Sequence, residues 1–144
     1  MPRNEIEKAM CRIPEELYNL GRLEIAEELF AADYIEHVPL PPDFPKGIPG
    51  LKLFVNMVRS AFPDFRYRVE DVFSAGDRLA MRVTAEGTNR GEFMGHPASG
   101  RKLSWTEIHI ARVKDGKLAE HWVNLDQLGM LQQMGVVPMA PVPA

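Results

Sequence analysis

The sequence predicts an α+β fold: about three helices at the N-terminal end cover a cone-shaped, strongly curved mixed or antiparallel sheet, with a pocket between the two layers. Three observations carry this. The hydrophobic period is helical up to about Phe62 and becomes two after Asp64. Helices come first and hairpin-linked strands follow, the element order of α+β domains. The chain of 144 residues is one domain's worth, enough to bury a single core without disulfides. Residues 1–135 are expected to form that domain, and 136–144 a proline- and methionine-containing tail.

The elements follow in order. Ile6, Met10, Ile13, Leu17 and Leu20 make a helical stripe from Asn4 to about Leu20. Asn4 can cap it, Glu5 and Glu7 suit its first turn, Pro14 should kink it and Gly21 ends it. A short second helix faces inward through Leu23, Ala26, Leu29 and Phe30. Residues 33–49 carry five prolines and are expected to be a loop. A third helix runs from about Gly50 to Phe62, with Leu51, Phe54, Val55, Val58 and Phe62 as its apolar face. Phe65, Tyr67 and Val69 then alternate with Arg66, Arg68 and Glu70, and Leu79, Met81, Val83 and Ala85 form a second alternating run. A glycine-rich crossing, residues 87–101, leads to a strand over 103–113. Lys114-Asp-Gly-Lys117 is a hairpin turn, 118–126 the last strand, and a short helix from about Asp126 to Met134 closes the domain.

Composition narrows the function. Hydrophobic residues at 45% and charged residues at 26% are those of a globular protein, which excludes a disordered chain. A net charge of −3 with scattered Arg and Lys gives no basic stripe, so no nucleic-acid partner is expected. No apolar run is long enough to span a bilayer, so no membrane partner is expected either. The N-terminal residues show no secretory pattern, and the single Cys11 cannot form an internal disulfide; a cytoplasmic address is the expectation. Small-molecule chemistry or protein interaction remains.

No GxSxG, HExxH, Walker loop, paired CxxC or dinucleotide fingerprint is present. What remains is imidazoles and carboxylates. On the strand Trp105-Thr-Glu-Ile-His-Ile-Ala111, period two puts Trp105, Glu107, His109 and Ala111 on one face. The other face carries Thr106, Ile108, Ile110 and Arg112, so the strand is expected to be buried on both sides. A buried Glu and His two residues apart are costly unless they meet partners or a polar cavity. The hairpin then brings the region of His121 to Val123 beside His109. Such a group can do general acid–base work, taking a proton α to a carbonyl and returning it, with no cofactor or metal required. The candidate acid–base residues are His109, His121, Glu107 and Asp126. The candidate pocket residues are Tyr34, His37, Phe93, Trp105, Trp122 and Val123. Asp33 and Glu36 are expected to be solvated. A metal held by His109, His121 and a carboxylate is the competing use, but the spacing matches no metal motif.

A resemblance is carried by Leu29-Phe30-Ala-Ala-Asp-Tyr-Ile-Glu-His37, Ala61-Phe-Pro-Asp64, GTNRGEFMG over 87–95, PASGR over 97–101, Asp115-Gly-Lys117, Glu120-His-Trp122 to Asp126, and Gly129 with Leu131 to Gly135. Together these resemble the SnoaL-like polyketide cyclases of the nuclear-transport-factor-2-like superfamily. The resemblance implies a cystatin-like α+β barrel with a deep pocket, in a homodimer or higher homo-oligomer. It also implies cofactor-free ring closure of an aromatic polyketide by intramolecular aldol chemistry. In that pattern a pocket histidine falls on His109, and the family's acid–base aspartate falls on Val123, which cannot transfer a proton. Asn89 stands where many relatives have histidine. The expected activity is acid–base catalysis on a hydrophobic cyclic or polyketide-like carbonyl compound, of the cyclase or isomerase type. A non-catalytic binding module and a water-activating hydrolase on the same fold are the alternatives.

Overall fold

The computed structural model describes residues 2–140. Helix α1 spans Glu5–Arg12 and opens with a capping box, Asn4 accepting from the Glu7 amide and Glu7 from the Asn4 amide. Pro14 lacks the donor that would continue the α pattern. The chain widens there into a π-helical turn, Ile13–Tyr18, rather than bending a single helix. The wider turn changes the facing, and Leu20, expected inside, is 55% exposed. Arg59 closes the turn by donating to the carbonyls of Tyr18 and Asn19 at 2.7 and 3.0 Å. A 3-10 turn, Leu23–Ile25, and helix α2, Ala26–Leu29, follow.

The proline-rich segment begins as strand β1, Phe30–Glu36. The expectation of a loop from Asp33 is corrected here. The run FAADYIE has no period-two alternation, and its ladder comes from a distant parallel partner. Helix α3 spans Gly47–Ala61, starting ahead of the expected Gly50. Pro49 falls in its first turn, where amides have no helical acceptor and proline is tolerated.

Strands β2 (Arg66–Ala75), β3 (Arg78–Thr88), β4 (Lys102–Lys114) and β5 (Lys117–Leu125) form a meander, and helix α4 (Gln127–Met134) follows. The strand order is β1-β5-β4-β3-β2, with β1 parallel to β5 and every other pair antiparallel. The sheet is not closed: β1 and β2 are its edges. The β4–β5 turn puts Asp115 and Gly116 at φ +52° and +77°, as a two-residue turn matched to sheet twist requires.

The helices cover one face of the sheet. Two clusters fill the space between. One joins Met10, Leu17, Phe30, Leu51 and Val55 to Leu79, Met81 and Ala111. The other joins Val58, Phe62, Met130 and Met134 to Ala85, Leu103 and Trp105. Cys11 is fully buried and burial pushes its thiol up to about 11, so it is a core residue. Among the described residues the outer face has no covering layer. Ile108 and Ile110 are 54% and 37% exposed there, which corrects the expectation of a strand buried on both sides. In the tail, Met139 is 73% exposed, and residues 141–144 lie outside the described residues. Among the described residues no helix is long and apolar enough to cross a membrane.

Where β3 meets the end of α3, a Cβ on Gly87 would stand 2.9 Å from Cβ of the fully buried Phe62. Gly87→Ala should therefore cost about 1–3 kcal/mol by overpacking, read as a lower urea midpoint. Unchanged stability would show that the two elements are not packed this closely.

Candidate active site

Period two on β4 turns Trp105, Glu107 and His109 to the helix-covered face. In the β4–β5 ladder His109 pairs with Val123 and Ala111 with His121, so His121 is the diagonal neighbour of His109. In the parallel β1–β5 ladder Glu36 pairs with His121. Three strands thus bring four titratable side chains into one row.

Hydrogen bonds join that row end to end. Glu107 Oε1 lies 2.8 Å from His109 Nε2. His109 Nδ1 lies 2.8 Å from His121 Nε2, with the two rings stacked at 5.1 Å and 18°. His121 Nδ1 lies 2.7 and 2.9 Å from the two oxygens of Glu36. At the inner end Tyr67 donates its hydroxyl to Glu107 Oε1 at 2.9 Å, and the Trp105 indole donates to Oε2 at 2.7 Å.

Glu107 is 6% exposed. Burial alone would raise its carboxyl, but the bond and charge of His109, the Trp105 N–H and the Tyr67 O–H outweigh it. The net displacement is below the ordinary carboxylate range. Burial, then the nearby Glu107 charge, pushes the Tyr18 and Tyr67 phenols well above their ordinary value, so both remain protonated donors.

The protons in the row can be counted. Each of its three links needs one shared proton. Two neutral imidazoles supply two, so the third makes one imidazolium or one carboxylic acid. With two carboxylates, any fully bonded arrangement carries one net negative charge and can pass a proton along the row without losing a bond.

The row opens on a cavity of about 70 Å³. Its polar side chains are Tyr18, Glu36, His109 and His121, set among Met10, Ile13, Phe30, Leu51, Met81 and other apolar residues. Sites for drug-sized ligands hold about 300–1,000 Å³, so a polycyclic occupant must widen this one. Met10 and Met81 in its wall are unbranched and repack readily.

The structure brings together His109, His121, Glu107 and Trp105. Val123 adjoins the row through its pairing with His109, and the structure places the other expected residues elsewhere. Asp126 caps α4, accepting from the Gly129 amide at 3.0 Å, and is exposed; the position ahead of a helix explains it better than chemistry does. Trp122 and His37 belong to the outer face, because strand alternation turns them opposite to His121 and Glu36. They stack on each other at 4.9 Å, with Arg78 over the Trp122 ring and His37 Nε2 2.6 Å from Glu120. Phe93 packs edge-on to Phe62 in the second cluster. Tyr34 is buried edge-on to Phe30, outside the cavity wall. Val123 is the ladder partner of His109 and bears no proton-transfer group.

Three participants were not expected. Glu36 had been placed in solvent, and Tyr18 and Tyr67 had not been singled out. The strand reading of FAADYIE would have revealed Glu36, since Tyr34 and Glu36 then share a face. Among the described residues, no group of three or more His, Cys, Asp or Glu is arranged to hold a metal ion.

A family model for the SnoaL-like polyketide cyclases matches residues 8–134. The chain belongs to that family. It is 28% identical over 120 residues to nogalonic acid methyl ester cyclase of Streptomyces nogalater, covering 82% of this chain and 89% of that protein. Among solved structures, TsrD from Streptomyces laurentii superposes with a TM-score of 0.85 at 28% identity, over 95% of this chain and 99% of the other. IdmH from Streptomyces antibioticus, described as a candidate polyketide cyclase, gives 0.79 at 34%, over 92% and 100%. Within this SnoaL-like framework, the row from Glu107 to Glu36 is the feature on which acid–base chemistry can rest.

Glu107 sets a pH dependence. Its folded-state carboxyl lies below the unfolded value of about 4.3. Its charge therefore stabilises the fold above that pH, and the contribution is lost as pH falls through the lowered value. Glu107→Gln should be about 1–3 kcal/mol less stable at pH 7 in urea unfolding, with the difference shrinking below about pH 4. A gap that stays constant down to pH 3 would mean the carboxylate is not held ionised.

Proposed function

We propose that this chain is a cofactor-independent acid–base enzyme that closes a ring in a hydrophobic, polyketide-like carbonyl compound by intramolecular aldol chemistry. The observation that carries this reading is the hydrogen-bonded row Glu107–His109–His121–Glu36 ending in an apolar cavity. A dry wall raises the strength of each charge interaction, and fixed partners avoid reorganisation as charge develops. The row can accept a proton and return it, as an aldol closure demands. The family supports the reaction type, and the nogalonic acid methyl ester relative supports an ester-bearing substrate. The family habit of forming homo-oligomers belongs to the same reading. The outer face offers a second copy an apolar line of Phe73, Ala80, Ile110 and Trp122 in register across four strands.

Val123 at the family's aspartate position favours a second reading, a binding module without turnover. The hydrolase reading has no such support. It needs an arginine in the pocket, and Arg112 is paired with Glu120 instead.

The test is incubation with polyketide-like methyl esters that carry an enolisable ketone and a second carbonyl, with no added cofactor. An isomeric product of unchanged mass with one new ring is expected. His109→Ala and His121→Ala should each lower the rate by about 10²–10⁴-fold. Tight ligand retention with no product would establish the binding module, and full activity in both variants would remove the row from the chemistry.

A further inference from the structure

The hydrogen-bond inventory of the cavity separates groups that are already committed from groups that are free. Both ring nitrogens of His109 are engaged, one by Glu107 and one by His121. Both ring nitrogens of His121 are engaged, one by His109 and one by Glu36. For either imidazole to touch a substrate it would have to release a partner in a largely dry site and leave a polar group unsatisfied. Glu107 already accepts from Tyr67, Trp105 and His109 and is not part of the cavity wall.

Two cavity groups retain capacity. Glu36 accepts from His121 and, at 3.2 Å, from the Val38 amide. A carboxylate offers about four acceptor sites, so roughly two remain open. Tyr18 makes no hydrogen bond through its hydroxyl to any described residue, although it lines the cavity. It is also held in place. Its ring stands edge-on to Tyr67 at 5.2 Å and tilted on Phe65 at 6.3 Å. Its carbonyl is gripped by Arg59 at 2.7 Å. The π-helical turn that contains Pro14 ends on this residue.

We propose that Glu36 is the group that exchanges the proton with the substrate and Tyr18 the donor that holds the developing oxyanion, while the two histidines act behind Glu36 as its proton reservoir. The proposal rests on the acid–base reading above and assigns its working atoms. A Glu36 oxygen takes the proton from the carbon α to a carbonyl, and the C–H electron pair becomes the enolate, whose oxygen accepts from the Tyr18 hydroxyl. The enolate carbon attacks the second carbonyl, a C–C bond forms, and the new alkoxide takes the proton back from the Glu36 acid. Nothing is oxidised and nothing leaves. During the intermediate the row holds one proton more and is neutral. His109, His121 and Glu107 are positioning residues in this scheme, and the substrate presents an enolisable ketone to an acceptor and a donor together.

The test uses the purified full chain and 1-indanone in D₂O, with exchange of the α-hydrogens followed by proton NMR. Glu36→Gln should slow exchange by about 10²–10⁴-fold. Tyr18→Phe should slow it by about 10²–10³-fold. Glu36→Asp should recover part of the rate, which separates chemistry from misfolding. His109→Gln should cost less than Glu36→Gln and should alter the pH profile. Exchange at the parent rate in Glu36→Gln, with loss in His109→Gln, would overturn the assignment. If the parent protein exchanges nothing, the acid–base reading fails, and binding of 4-nitrophenol decides the placement by itself. At least about tenfold weaker binding in both Tyr18→Phe and Glu36→Gln supports it; equal affinity, or none in the parent, overturns it.

Discussion

A carboxylate with almost no access to water is expensive unless every charge it carries is answered, and Glu107 meets that demand through partners drawn from three directions. Trp105 reaches it from two residues away on the same strand, Tyr67 from β2 and His109 from farther along β4. Each partner must itself be fixed. Asn19, just beyond the π-helical turn, accepts from the Tyr67 amide at 2.7 Å and donates to its carbonyl at 2.9 Å. The buried charge therefore couples the N-terminal helical layer to the sheet. His109 passes the same constraint to His121 and on to Glu36, which ties the parallel edge strand to β5. The row thus crosses the helix-covered face from β2 to β1, and the fold and the site depend on one set of bonds.

This arrangement also explains why a proton can move there without disturbing the structure. Each link is satisfied by one proton on either side, so shifting the charge rearranges bonds by fractions of an ångström and leaves no orphaned donor. A charge developing there would meet partners already fixed in folding. An isolated histidine in the same cavity would have to find a new partner each time its charge changed.

Much of this was legible in the sequence, and the limits have physical causes. The change of period at Asp64 located the sheet. Alternation on β4 placed Glu107 and His109 together, and the Asp115-Gly116 turn brought His121 to within one diagonal step. These are local patterns, fixed by strand geometry and a two-residue turn. Glu36 was not legible, because its partner lies 85 residues away in a parallel ladder and β1 shows no alternation. Tyr18 was hidden by Pro14: a missing amide predicts a break, but not whether the chain bends or widens. Asp126 misled for the opposite reason, since an aspartate ahead of an apolar helix and an aspartate at a catalytic centre look the same until the cap is seen. Trp122 and His37 show that an aromatic residue near a histidine says little until the face of the strand is known.

The valine at position 123 takes on a different meaning once the row is seen. Directly paired residues in an antiparallel ladder have Cβ atoms about 4.5–5.5 Å apart, so a carboxylate at 123 would stand against His109. That would be a third carboxyl group beside Glu107 and Glu36. Like charges at that distance oppose each other, and one of the acids would be driven to hold a proton. A neutral, β-branched residue avoids this while keeping the strand pair packed. The carboxylate that borders the cavity belongs instead to the parallel edge strand, where Glu36 is bonded to His121. Valine on β5 therefore does not leave the cavity without a carboxylate. That carboxylate stands one strand over, and the histidine pair links it to the buried carboxylate of Glu107.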